Sequence, residues 1–287
     1  YLHGNAMFTD PEKTLYADTI IYIDRIQKIE AKHNVHFIEQ KNNLRIQSNY
    51  LLKDEASDET FVSDCVLAQI IQESDTIYIH SDTLSILSDT IDSKQKLYAY
   101  YDVRIYNTQI QAKCDSLSYI ELEELMTLYE QPIIWSDNAE LKGDSIQIHF
   151  TDSLINHIDI YENASAVMEL DSGALYNQIS GKSIIALMEK GKLVKTDVKG
   201  TATSIFYPED EEITDSSTII KRMGLNKLEA SALTVHLDSG EVKGITYRTE
   251  PTGIFYPIDQ INEKDRWIKN FKWNPILRPK DYSTLDN

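Results

Sequence analysis

The chain has 287 residues, with 28 Lys and Arg against 46 Asp and Glu, for a formal charge of −18. That sign argues against binding nucleic-acid phosphate and against docking on an anionic membrane by charge, and Gly (10) and Pro (7) are too scarce for a collagen-like or low-complexity chain. Tyr (17) far outnumbers Phe (7) and Trp (3), a bias that favours strands, and no run of about 18 apolar residues could cross a membrane as a helix.

The chain opens on Tyr1-Leu2-His3-Gly4-Asn5-Ala6-Met7-Phe8, which reads as a strand. Ala17-Asp18-Thr19-Ile20-Ile21-Tyr22 then states a phrase that returns throughout: a small or polar residue, Asp, Ser or Thr, and alternating apolar residues. Its copies follow as Ser48-Asn49-Tyr50-Leu51, Ser81-Asp82-Thr83-Leu84-Ser85-Ile86, Cys114-Asp115-Ser116-Leu117-Ser118-Tyr119, Gly143-Asp144-Ser145-Ile146-Gln147-Ile148, Gly181-Lys182-Ser183-Ile184 and Ala230-Ser231-Ala232-Leu233. Successive copies lie 31, 33, 33, 29, 38 and 49 residues apart. A near-constant period of that size marks a repeat architecture, in which one unit cannot bury its apolar face alone.

A second phrase alternates with the first. It reads His33-Asn34-Val35-His36-Phe37, Asp64-Cys65-Val66, Tyr101-Asp102-Val103-Arg104-Ile105, Gln131-Pro132-Ile133-Ile134-Trp135, Glu162-Asn163-Ala164, Gly200-Thr201-Ala202 and Glu250-Pro251-Thr252-Gly253-Ile254. His3-Gly4-Asn5-Ala6 is the same phrase without a first phrase before it, so the sequence is expected to begin inside a repeat with further residues upstream. Both phrases carry the two-residue period of strands. Lys190-Gly191 and Ser239-Gly240 read as hairpin turns, which demand antiparallel neighbours. Ile120 to Leu125 is the one stretch with helical spacing, and a loop explains it equally.

The expectation is an all-β, elongated antiparallel jelly-roll or open β-roll, built over residues 1–257 from about seven two-strand repeats of about 32 residues. Parity turns one face inward: Ile20 and Tyr22, Val35 and Phe37, Leu84 and Ile86, Val103 and Ile105, Leu117 and Tyr119, Ile133 and Trp135, Ile146, Ile148 and Phe150, Ile184, and Leu233, Val235 and Leu237. These residues either fill a dry core or line an apolar groove. The acidic run Glu209-Asp210-Glu211-Glu212 reads as a loop. Residues 258–287, with Trp267, Phe271 and Trp273, read as an irregular arm on the last layer, with a short helix near 261–269.

Chemistry-bearing patterns are sparse. Asp18, Asp82, Asp115 and Asp144 stand one per repeat, too dispersed to converge on calcium, and each precedes Ser or Thr, which predicts a turn or strand-entry hydrogen bond. The seven His show no metal-ligand spacing: His33 and His36 face opposite ways on a strand, and His149 and His236 lie in separate layers. No nucleophile and base pair, Gly-rich phosphate loop or paired-cysteine motif is present. Cys65 and Cys114 do not make a disulfide framework; whether they bridge each other is left open. No catalytic residue, cofactor or metal is expected.

The ordered series of Asp-Ser/Thr-Leu/Ile and Gly/Asn-Val/Ala strands resembles the OstA or LptA-like family. The ending, with Phe271-Lys272-Trp273 and Arg278-Pro279-Lys280-Asp281, resembles the longer OstA-like proteins of Bacteroidetes-type bacteria. The resemblance implies a non-enzymatic periplasmic jelly-roll in a Gram-negative envelope. Its partners would be lipopolysaccharide or lipooligosaccharide and neighbouring jelly-rolls stacked end to end in a bridge between the membranes. The inward apolar face would then carry acyl chains while the sugar head stays in water. The charge of −18 departs from what a polyanionic head group suits, so that head must stand clear of the surface, be screened by divalent cations, or bear fewer phosphates. The competing expectation is a structural or adhesive β-repeat module that binds protein or glycan. Residues 1–8 would form an open sheet edge, which either serves end-to-end strand addition or is exposed because the residues expected upstream are missing.

Overall fold

The computed structural model describes residues 2–72, 75–88, 94–152, 154–190, 192–214, 217–238 and 241–285. The chain divides into two compact units, Tyr1–Ile134 with Ile276–Asn287, and Trp135–Pro275. The first holds β1 (Leu2–Thr9), β2 (Lys13–Ile23), β3 (Lys28–Glu39), β4 (Leu44–Asp54), β5 (Glu59–Ile71), β6 (Thr76–Ser88), β7 (Gln95–Tyr106), β8 (Ile110–Ile120) and β9 (Leu125–Tyr129). β10 (Ile133–Ser136) runs into the second unit, which holds β11 (Ala139–Lys142), β12 (Ser145–Thr151), β13 (Leu154–Leu170), β14 (Leu175–Glu189) and β15 (Lys192–Phe206). It continues with β16 (Glu209–Thr214), β17 (Ser217–Arg222), β18 (Gly224–Asp238), β19 (Glu241–Arg248) and β20 (Thr252–Pro257). Each described pairing is antiparallel, and the expected all-β class and two-strand repeat are found.

The two phrases turn out to be corners inside long strands, not strand starts. In β1, β3, β5 and β7 the second phrase places two consecutive residues in the left-handed region: Gly4 and Asn5, His33 and Asn34, Asp64 and Cys65, Tyr101 and Asp102, with φ from 50° to 74°. The register with the neighbouring strand jumps at those pairs, between His3 and Ala6, Lys32 and Val35, Ser63 and Val66, and Tyr100 and Val103. Such bulges bend a strand and raise its twist. In the second unit Glu162 and Asn163, and Gly200 and Thr201, repeat the device in β13 and β15.

The first phrase supplies the opposing half of each corner. Its small residue lies inside the bend: Ala17, Ser48, Ser81 and Cys114 are all buried. Ser48 Oγ donates to the Tyr50 carbonyl at 3.1 Å and Ser81 Oγ to the Thr83 carbonyl at 3.0 Å. At Gly181 a Cβ would stand 2.6 Å from Val198 Cγ1 and 2.8 Å from the Lys199 carbonyl, so this corner admits only glycine without displacing backbone. The phrase's Asp lies on the outside, where Asp18 accepts from Asn34 Nδ2 and Asp144 from Asn163 Nδ2. At these two Asp residues the bond is therefore not the expected turn or strand-entry contact but one made across the corner to an Asn of the neighbouring strand.

Bending divides every long strand between two half-sheets. In the first unit the beginning of β3 pairs with the ends of β2 and β4, and its end pairs with their beginnings. Hairpin connections such as that from Ile23 to Lys28 stay within one half-sheet, so among the described residues of the first unit backbone passes between the half-sheets only at the corners. The opposite edge is a mouth.

Three expectations change. The acidic run from Glu209 is strand β16, paired along its length with β17, because backbone hydrogen bonding in a hairpin does not depend on side-chain charge. Ile120 to Leu125 forms a 3₁₀ turn at Glu121–Glu123 leading into β9, and the expected helix near 261–269 is reduced to a 3₁₀ turn at Glu263–Asp265. Cys65 and Cys114 are both free, one exposed on the corner ridge and one buried within it. Of the expected hairpin turns, Gly191 and Ser239-Gly240 lie outside the described residues.

The arm after β20 is held on the outward side of the strands. In the second unit Ile268 packs among Ile205, Tyr207 and Leu225. Gln178 accepts from the Ile268 amide at 3.0 Å and donates to the Arg266 carbonyl at 2.7 Å. Glu140, fully buried, accepts from Trp135 Nε1 and from the backbone and side-chain nitrogens of Asn274 at 2.9–3.0 Å. In the first unit Tyr282 stacks on Tyr78 with ring centroids 4.8 Å apart, and Arg104 donates to the Leu285 carbonyl.

Candidate functional site

The space between half-sheets is lined by cross-strand ladders with one residue per strand. Ile20, Ala31, Leu51, Val62, Leu84, Ala99, Leu117 and Leu128 are consecutive register partners on one half-sheet of the first unit, and none exceeds 2% exposure. On the facing half-sheet the ladder runs Leu15, Phe37, Ile46, Ala68, Ile79, Ile105 and Ala112. In the second unit Ile146, Ile160, Ile184, Val198 and Leu233 form the equivalent row. Matched apolar cross-strand pairs are the unit of sheet stability, and within each unit they also make an uninterrupted apolar row.

Of the residues that parity turns inward, Ile20, Phe37, Leu84, Ile105, Leu117, Ile146, Ile184 and Leu233 stand on these rows, whereas Trp135 donates to Glu140 beneath the arm. Ile20, Val35, Phe37, Leu84, Ile86, Val103, Ile105, Leu117, Trp135, Ile146, Ile148, Ile184, Leu233 and Val235 are buried, and Tyr119, Ile133, Phe150 and Leu237 are half-buried. Tyr22 is the exception at 45% exposure. It is opposite buried Ile29, but at the mouth rim, where its hydroxyl meets Glu55. Side chains from both half-sheets fill the space between them.

At the mouth of the first unit the apolar rungs give way to a polar set that no repeat announces. Lys13 and Glu39 pair across β2 and β3 on the inward register, and Lys53 follows Ile29 on the facing half-sheet. Lys13 Nζ lies 3.2 Å from Glu39 Oε1 and 3.3 Å from Asp58 Oδ1, and Lys53 Nζ lies 2.6 Å from the same Asp58 oxygen. Gln95 Nε2 and Asn42 Nδ2 each donate to Glu39 Oε2 at 2.8 Å. The Lys13–Asp58 and Gln95–Glu39 contacts join one half-sheet to the other. Burial alone would lower the Lys13 ammonium pKa, but Glu39 and Asp58 outweigh it and raise the value. Burial likewise pushes Asp58 up, and the hydrogen bonds and charges of Lys53 and Lys13 overcome it to hold the carboxyl below the usual range.

Two hollows open on the first unit. One overlies the corner ridge, lined by Lys32, His33, Tyr50, Asp64, Asp82 and Tyr101 among others; the other lies at the mouth against Asp10, Glu12, Lys13, Lys53, Glu55 and Asp58. Both are mainly polar in their residues, and the first also holds Cys65 beside His33.

Among the described residues, the second unit gathers a metal-ligand set that spacing along the sequence concealed. His149, His157 and Asp159 have ligand atoms within 4.8 Å of one another. The signal that could have found them is the near-mirror placement of the two His about the hairpin between β12 and β13. No metal was expected from the sequence, because spacing was judged along the chain and not across that turn.

No family model and no curated protein sequence matches the chain. Among solved structures it is similar to LptH of Pseudomonas aeruginosa, described as the LptA-homologous periplasmic component of the conserved lipopolysaccharide transport device. The match has 11% identity and a TM-score of 0.22, and covers 50% of this chain and 80% of that one. A likeness that loose carries no weight for function. No helix among the described residues is long and apolar enough to cross a membrane.

Proposed function

We propose that this protein is a non-enzymatic carrier of lipopolysaccharide or lipooligosaccharide, working in the periplasm as a segment of a bridge of stacked jelly-rolls. The observation that carries the reading is the pair of facing apolar ladders of the first unit, between half-sheets whose backbone, among the described residues, is joined along one edge only. Such half-sheets can part at the mouth while the corners hold, exposing a continuous strip on which acyl chains gain about 25 cal/mol per Å² buried. A passive strip supplies affinity and a path; direction must come from the neighbours. The repeat phrases and the ending, similar to the longer OstA-like proteins of Bacteroidetes-type bacteria, support the same reading. Strand β1, with one edge paired to β2, suits end-to-end addition to a neighbour.

A second reading rests on the filled interior. Ladder residues at 0–2% exposure also describe a rigid β-repeat spacer that binds protein or glycan on its outside. A photo-crosslinking amino acid at Ile105 and at Ile148, with a control at His236, separates the two. Carriage expects labelling with lipopolysaccharide at both interior positions and none at the control. A folded protein that never labels at Ile105 or Ile148 overturns carriage and leaves the spacer.

A further inference from the structure

We propose that His149, His157 and Asp159 form a binding site for a borderline divalent cation of the Zn²⁺ type. The site is independent of the lipid reading and lies on the outward face of β12 and β13. His149 and His157 are direct register partners across the antiparallel pair, and Asp159 follows His157 on the same face. Two hydrogen-bonded strands therefore present all three side chains without any loop having to order. Asp159 Oδ2 lies 3.5 Å from His149 Nε2 and 3.8 Å from His157 Nε2. Tetrahedral zinc, with bonds near 2.0–2.1 Å, sets ligand atoms about 3.3 Å apart, so Asp159 is nearly in place for both imidazoles, and the set, whose atoms now lie within 4.8 Å of one another, must close around the ion.

The surroundings are those of a ligand set. His149 Nε2 and Asp159 Oδ1 are buried without a hydrogen-bond partner, which buried polar atoms rarely are. Asn156 Oδ1 lies 3.3 Å from His157 Nδ1 and can accept its proton, leaving the Nε2 lone pair to face Asp159. Tyr161 donates its hydroxyl proton to Asp159 Oδ2 at 3.2 Å, with Gln147 Oε1 at 3.1 Å. Outer contacts of this kind fix ring tautomer and carboxylate orientation in metal sites. The two rings stack with centroids 4.0 Å apart and planes 11° from parallel, so binding requires them to turn from each other towards the ion.

Two imidazoles and one carboxylate suit Zn²⁺, Ni²⁺ or Cu²⁺, whereas Mg²⁺ and Ca²⁺ seek oxygen ligands. Three protein ligands leave a fourth position to water. The ion would staple β12 to β13.

The test uses untagged full-length protein, stripped with chelator and titrated with Zn²⁺ by calorimetry, with Co²⁺ absorption reporting tetrahedral coordination. One ion per chain is expected, with affinity falling at least about 100-fold in His149→Ala and in His157→Ala, and unchanged in His236→Ala. Mg²⁺ and Ca²⁺ should not compete. Imidazole ¹⁵N spectra of the unsubstituted protein give a readout that needs no variant: Nε2 of His149 and His157 should move on Zn²⁺ addition. Absence of binding overturns the proposal, as does binding that survives both substitutions or leaves both Nε2 resonances in place.

Discussion

The corner edge and the mouth edge of the first unit hold the same two half-sheets by opposite means. At the corner, backbone itself makes the connection, through paired left-handed residues such as His33 and Asn34 facing small residues such as Ala17. At the mouth, side chains alone make it, through Lys13, Glu39, Lys53, Asp58 and Gln95. The corner therefore cannot open without unfolding, whereas the mouth can open by exchanging ion pairs for water. Under the carrier reading, one edge is the hinge and the other the gate.

The largest effect should come from crowding a corner. Gly181→Val puts a branched side chain where even a Cβ meets Val198 and the Lys199 carbonyl within 3 Å. Overpacking against backbone costs about 3 kcal/mol, or roughly 10 °C in melting temperature, measurable by calorimetry. A loss below about 1 kcal/mol would show that corners yield and would remove the hinge from the comparison.

Glu39→Ala at the mouth should cost less, about 1–2 kcal/mol, because Lys13 keeps Asp58 and partial solvent access. Its access effect should be larger than its stability effect: lipid labelling at Ile105 rises while circular dichroism stays native. If labelling in Glu39→Ala rises only in step with unfolding, the mouth is not a gate. The mouth should also respond to acid. Asp58 has a folded-state pKa below its ordinary value, so its stabilisation is complete above about pH 4 and is lost as pH falls through the lower, folded value. Hydrogen exchange at residues 53–58 should therefore be flat from neutral pH to about pH 5, after correction for intrinsic rates, and accelerate below about pH 4. Asp58→Asn should abolish that acid dependence.

The two edges differ in legibility for the same physical reason that they differ in strength. A corner recurs in every repeat and constrains the residue types that fit: small inside the bend, Asp or Asn outside, β-branched just beyond. Those constraints print a phrase of constant spacing, which is why the repeat and the strand count per repeat could be read. That the phrase bends a strand instead of starting one was not legible, because consecutive left-handed residues such as Asp64 and Cys65 carry no glycine to announce them. The mouth assembles single residues from β2, β3, β4, β7 and two connecting turns, with no period to expose them. Tyr22 obeys parity and still ends up exposed, since parity assigns a face but not a depth. His149 and His157 were hidden by a turn, and the strand at Glu209 by its charge.

The smallest effect concerns the two thiols, which sample the outside and the inside of the corner edge. Cys65 lies exposed on the ridge with φ 56°, and Cys114 is buried within a bend, where burial pushes its thiol up to about 12. A thiolate is the reacting species, so a maleimide should modify Cys65 in the native protein and spare Cys114 until the chain unfolds. Cys65→Ser should leave stability within about 0.5 kcal/mol, since the side chain contributes no packing to the interior. Labelling of Cys114 in the folded protein, at a rate independent of denaturant, would mean that the bend breathes locally. The corner would then be a weaker hinge than its backbone geometry implies, and the distinction between the two edges would be one of degree.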